Sequence, residues 1–83
     1  MKLLKLTRKS SIASGQVYEH LRDDSAIEIA TVTSKLRGPL GIQHVCYELA
    51  VIQPGGIKDL GGRTLNEANF HVRFRPIPTA QAA

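Results

Sequence analysis

His44, Cys46 and Glu48 recur at every second position of one short stretch, and each is a side chain that can hold a metal or move a proton. In an extended strand such residues point to one side, with neighbours about 7 Å apart at their Cα atoms. Two of them can share a zinc ion. All three cannot, because the row is nearly straight and about 13 Å long, so a closed site needs ligands from another strand. The remaining histidines are His20 and His71, and Cys46 is the only cysteine. His44 beside Cys46 also suggests an imidazole-activated thiol, which would need an imidazole within hydrogen-bond reach, an orienting partner and an oxyanion pocket. Side chains at i and i+2 of one strand run parallel and do not readily bond to each other. A metal site or an enzyme using His44 and Cys46 is therefore the lesser reading. The favoured one is a half-exposed strand face in which cysteine is a small filler.

A second group of residues bears on anions. His71, Arg73 and Arg75 alternate along the last stretch, and Arg63 lies shortly before them. On a strand they form a basic stripe, which suits a nucleic-acid or anion contact and equally suits an edge strand protected from pairing by its charges. Lys2, Lys5, Arg8 and Lys9 add four cations with no acid among residues 1–9. The whole chain has eleven Lys and Arg against seven Asp and Glu, a formal +4. The excess therefore sits in those nine residues, and the remainder is neutral on balance. The segment reads as an electrostatic tether for an acidic partner. Alternatively, Leu3, Leu4 and Leu6 make it an extra edge strand with its lysines in solvent. Tyr18 and His20, with His44, are the candidates for a protein-binding patch, although Tyr18 also suits a core. Asp23 and Asp24 are adjacent in a turn and make a poor acid–base pair. Neither Gly55-Gly56 nor Gly61-Gly62 has the strand-to-helix context or the following Lys-Ser/Thr of a phosphate loop.

The elements that must position these side chains are short strands. Residues 16–21 and 26–34 are rich in β-branched and aromatic residues and are separated by the turn former Arg22-Asp23-Asp24-Ser25. In the second of these, Ile27 and Ile29 share one face while Ala30 and Val32 share the other, a slip that predicts a β-bulge. Residues 35–41, punctuated by Gly38-Pro39 and Gly41, read as a loop. Residues 42–52 form the longest strand, with Val45, Tyr47, Leu49 and Val51 on its core face. Gln53-Pro54-Gly55-Gly56 is a hairpin turn. A fourth strand runs over 57–65 with an interruption at Gly61-Gly62. Asn66 then caps a helical turn over 66–70, and a final strand over 71–75 turns Val72 and Phe74 inward until Pro76 stops it.

Eighty-three residues make one domain. The expected organisation is a basic arm or edge strand over 1–14, a folded unit over 15–77 and a tail over 78–83. A single cysteine excludes an internal disulfide and fits a reducing compartment. Residues 1–9 hold no apolar run long enough for a signal-peptide core, and nothing approaches the length of a membrane span. The expectation is a cytoplasmic protein with no membrane partner and no cofactor.

Strand count, turn spacing and the helix-then-strand ending predict an all-β fold, a small five-stranded SH3-like barrel with a short helical turn before the last strand. Gly15-Gln16-Val17-Tyr18-Glu19-His20, Ala30-Thr31-Val32, His44 to Leu49 and Arg63 to Phe70 resemble an uncharacterised bacterial family of small SH3-like barrels. Members of that family open with Gly-x-Tyr-x-His and close with Arg-x-Leu-x-x-Phe. Here the first motif is one residue longer before Tyr18, and the second is longer before Phe70. The resemblance spans residues 15–77 and implies a fold without implying an activity. A fold that works through strand faces and loops, with no convergent catalytic set, points to a non-catalytic binding module that makes protein or assembly contacts. Sequence-nonspecific nucleic-acid binding is the alternative. Exposed edge strands also allow a homo-oligomer formed by edge pairing.

Overall fold

The computed structural model describes residues 12–77. Five antiparallel strands form one sheet in the order β4-β3-β2-β1-β5. They are β1 (Val17–Leu21), β2 (Ile27–Arg37), β3 (Gln43–Gln53), β4 (Gly56–Asn66) and β5 (Arg75–Pro76). Helix α1 (Glu67–Arg73) lies between β4 and β5. The first four strands form a meander, and β5 returns to pair with β1 through Tyr18 opposite Pro76 and Glu19 opposite Arg75. The strand number and the helix-then-strand ending agree with the sequence reading. The sheet is not closed, because among the described residues β4 and β5 are edges that do not pair with each other.

The core lies under one face of this sheet, called the inner face below. Val45, Tyr47, Leu49 and Val51 are all buried, as their alternation predicts. Cross-strand pairing sets Ala30 against Leu49 and Val32 against Tyr47, and Tyr18 against Ala30. Helix α1 closes the cluster with Phe70, and Ile12 joins it, so the packed unit reaches back beyond residue 15. Phe70 meets Tyr18, Tyr47 and Phe74 at ring-centroid distances of 4.9, 5.2 and 4.9 Å. The contacts with the two tyrosines are edge-on, an arrangement that the ring quadrupoles favour.

The end of the chain differs from the reading above. Residues 71–73 are helical, and the last strand shrinks to Arg75–Pro76. The Asn66 side chain caps the helix, its Oδ1 accepting from the Asn69 amide at 2.8 Å. Once started, the helix continues because Phe70 and Phe74 are four residues apart and pack on each other, with Phe74 as its C-cap. That spacing is helical, whereas the alternation of Val72 with Phe74 suggested a strand. Val72 is consequently 87% exposed and outside the core, and the basic stripe on one strand does not form. Val72→Ala is expected to change stability by no more than about 0.5 kcal/mol in urea denaturation, as for an ordinary surface position. A loss of core-like size would place Val72 inside after all.

Two strands carry extra residues. In β2 the register shifts between Val32 and Ser34, leaving Thr33 unpaired. The predicted bulge therefore exists, but it falls after Val32, and the inward set before it is Glu28, Ala30 and Val32. Strand β2 then continues to Arg37, through the start of the expected loop. In β4 Leu60 is the extra residue, beside Gly61 at φ +84°, a left-handed angle that glycine tolerates. What looked like an interruption at Gly61-Gly62 is a bulge inside a continuous strand.

Candidate interaction surface

The face opposite the core, the outer face, presents four aliphatic side chains in a line across the sheet. Register pairs Leu21 with Ile27, Ile27 with Ile52, and Ile52 with Ile57, so the row crosses β1, β2, β3 and β4 in turn. Leu21 is 67% exposed, Ile52 40% and Ile57 73%, with Ile27 half-buried between its neighbours. The sequence places these residues simply. Leu21 and Ile27 flank the turn at 22–26, and Ile52 and Ile57 flank the turn at 53–56. Two hairpins thus end in aliphatic pairs, and the β2–β3 register sets them side by side.

The next rows on this face mix apolar and acidic side chains. Glu19 pairs with Ile29, Ile29 with Ala50, and Ala50 with Asp59. Glu48 lies one row further, where its Oε2 would stand 3.6 Å from a Cβ added at Gly62. At the far end Leu36, Leu40 and Ile42 are again exposed, Leu40 at 96% and with a left-handed φ of 62°. Among the charged strand residues of this face, Glu19, Glu48 and Asp59 outnumber Arg75, which sits opposite Glu19 on β5.

The inner side has the opposite balance. Lys35 is paired with Val45, Arg63 with Tyr47 and Lys58 with Val51, so all three occupy inner-face positions, and all are exposed. Glu28 is the one buried charged residue among the described residues, and its carboxylate accepts two bonds from Arg73 Nη2, at 2.8 and 3.0 Å. The same guanidinium lies 5.6 Å from the Phe74 ring centre. This pair ties α1 to β2 across 45 residues of chain. Burial pushes the Tyr47 hydroxyl above its ordinary pKa, opposed by Arg73 and Arg63 and aided by Glu28. Burial also raises Tyr18, with Glu67 adding to the effect. Tyrosines whose folded pKa is raised hold their protons longer than in the unfolded chain. Their contribution is therefore complete below pH 10 or so and lost as pH rises through the folded values. Spectrophotometric titration is expected to show both phenols ionising above the ordinary range, with stability falling in the same alkaline window.

The residues singled out in the sequence are dispersed. Tyr18 is in the core, its hydroxyl donating to Gln16 Oε1 at 3.2 Å. His20 is half-buried on the inner face opposite Glu28, its ring edge-on to Phe74 at 6.2 Å. His44 is on the outer face, with Nδ1 3.0 Å from the Ile42 carbonyl oxygen. Tyr18, His20 and His44 therefore do not form one patch. Cys46 shares the outer face with His44, and its sulfur is 3.8 Å from Thr64 Oγ1. No group of three or more His, Cys, Asp or Glu positioned to hold a metal occurs among the described residues. Arg63, Arg73 and Arg75 lie on β4, α1 and β5 respectively, and Lys2, Lys5, Arg8 and Lys9 lie outside the described residues. His71 lies in the last turn of α1, its Nε2 3.8 Å from Glu67 Oε2. Strand β4 has no partner on its outer edge among the described residues, and it carries Lys58, Asp59 and a bulge, devices that oppose strand addition. No helix among the described residues is long and apolar enough to cross a membrane. No family model, curated protein or solved structure matches the chain.

Proposed function

We propose that this protein is a non-catalytic binding module that makes protein–protein contacts through the outer face of its sheet. The observation that carries this reading is the exposed row Leu21, Ile27, Ile52 and Ile57. Single exposed aliphatics are ordinary, whereas a contiguous apolar patch with a polar surround is the usual mark of a protein contact. The row lies on regular strands held by backbone pairing, so it is preorganised and loses little freedom on binding. The acids beside it disfavour phosphate, which separates this face from a nucleic-acid surface.

The test is capture from extract of the native cell with the full chain as bait, compared with a Leu21→Lys/Ile57→Lys chain. Both side chains are largely exposed, so the fold is expected to survive, with an unchanged far-UV circular dichroism spectrum. Loss of a captured protein in the double variant is the expected result. Capture that does not depend on these two positions would remove the outer face from the reading.

Sequence-nonspecific nucleic-acid binding is the second reading, favoured by the exposed inner-side cations Lys58 and Arg63 on edge strand β4 together with the charges of residues 1–9. It requires duplex affinity that falls steeply with salt, with a log–log slope of roughly −4 for four to five phosphate contacts. Absence of binding to labelled duplex at low salt would end it.

A further inference from the structure

Residues 1–9 and the outer face are complementary in two respects. The segment Met-Lys-Leu-Leu-Lys-Leu-Thr-Arg-Lys has four cations, no acid and three leucines. The face has an exposed aliphatic row with Glu19, Asp59 and Glu48 in the rows beside it. Leucines have the row to cover, and lysines have carboxylates two to four strand residues from it, about 7 Å per pair of residues. We propose that the outer face takes residues 1–9 of a second copy of this chain, so that copies associate front to back.

The direction follows from where the described chain begins. Ile12 is buried with Tyr18 and Phe70 under the inner face, beside the Val17 end of β1. The row is on the other side of the sheet, at the Leu21 end. Within one copy the segment would have to round the sheet edge and run the length of β1. From a second copy whose inner side approaches the outer face, it arrives directly. The charges favour the same arrangement. The inner side carries Lys35, Lys58, Arg63 and Arg73 against Glu28 and Glu67, while the outer face carries Glu19, Glu48 and Asp59 against Arg75. A face-on-face pair of outer surfaces would bring like charges together, whereas front-to-back packing brings opposite ones together. Such an interface is heterologous: each copy offers a segment to one neighbour and a face to another.

This inference rests on the outer-face reading above, and sedimentation of full-length chains tests it separately. One chain carries Leu21→Lys/Ile57→Lys and so lacks only the face. Another carries Lys2→Gln/Lys5→Gln/Arg8→Gln/Lys9→Gln and so lacks only the charged segment. The native chain is expected to self-associate at tens to hundreds of micromolar, more weakly as salt rises, and each variant alone to be at least tenfold weaker. Mixing the two is expected to restore one-to-one pairs, since each retains the half that the other lacks. A native chain that stays monomeric at hundreds of micromolar, a mixture that forms no pairs, or a segment variant that associates as well as the native chain would each overturn the proposal. If the native chain is monomeric but still captures another protein through Leu21 and Ile57, the outer-face reading stands and only the front-to-back contact falls. Unchanged circular dichroism in the face variant excludes unfolding as the cause of its loss.

Discussion

Replacing Phe70 by alanine is expected to remove most of the protein's stability at room temperature. Phe70 is fully buried and is the meeting point of Tyr18, Tyr47 and Phe74. Phenylalanine-to-alanine changes in cores cost about 3–5 kcal/mol, from lost transfer energy and the cavity left behind. A domain of this length starts from modest stability, often only about 5 kcal/mol. Helix α1 contributes no other buried side chain, so the truncation removes its anchor and loosens the connection to β5. The companion variant Phe70→Leu keeps much of the volume and is expected to lose chiefly the ring contacts, about 0.5–1.5 kcal/mol for each pair. Thermal or urea denaturation reads both. A Phe70→Ala chain within about 1 kcal/mol of the native one would contradict the packing of α1 described here.

The second large effect is expected at Arg73. Its removal leaves the Glu28 carboxylate buried without its charged donor. A buried group stripped of its partner costs about 1–3 kcal/mol, more when charged, but the Arg73 side chain is 46% exposed and water can partly replace it. Arg73→Ala is therefore expected to lose roughly 1–3 kcal/mol, part of it from the stacking of the guanidinium on Phe74. The double variant Glu28→Gln/Arg73→Met is expected to be more stable than Arg73→Ala, because no unpaired charge stays buried. A double-mutant cycle measures the coupling directly. Strict additivity would mean that the bond between β2 and α1 contributes nothing to the folded state.

The contrast between these residues and the legible ones has a physical basis. Val45, Tyr47, Leu49 and Val51 were readable because a strand with one buried face alternates cleanly. The Asn66 cap and the turn at 53–56 were readable because their chemistry is local. Phe70 was not assigned to the core because the spacing of Phe70 and Phe74 competed with the alternation of Val72 and Phe74. Glu28 was not readable at all, since its partner lies 45 residues away and nothing local distinguishes it from a solvent-facing acid. The aliphatic row falls between these cases. Each hairpin places its own pair, Leu21 with Ile27 and Ile52 with Ile57, but their alignment depends on the β2–β3 register, which only the folded chain supplies.

Two extra residues set registers in the sheet, Thr33 that of β2 on β3 and Leu60 that of β4 on β3. Strand β2 turns its even-numbered side chains inward up to Val32, and after Thr33 the odd-numbered Lys35 takes an inner position. Strand β4 makes the same exchange around Leu60, so Ile57 faces outward while Arg63 and Leu65 take inner positions. Each strand is thus written in two reading frames, with one residue as the frame change. The change in β2 is pinned: Thr33 donates its hydroxyl to the Cys46 carbonyl at 3.1 Å, and Ser14 donates to the Thr33 carbonyl at 2.8 Å. Migration of the extra residue along the strand would break both hydrogen bonds. Ser14, ahead of the first strand, therefore acts as punctuation for the sheet, fixing which letters of β2 are read by the core and which by whatever meets the outer surface.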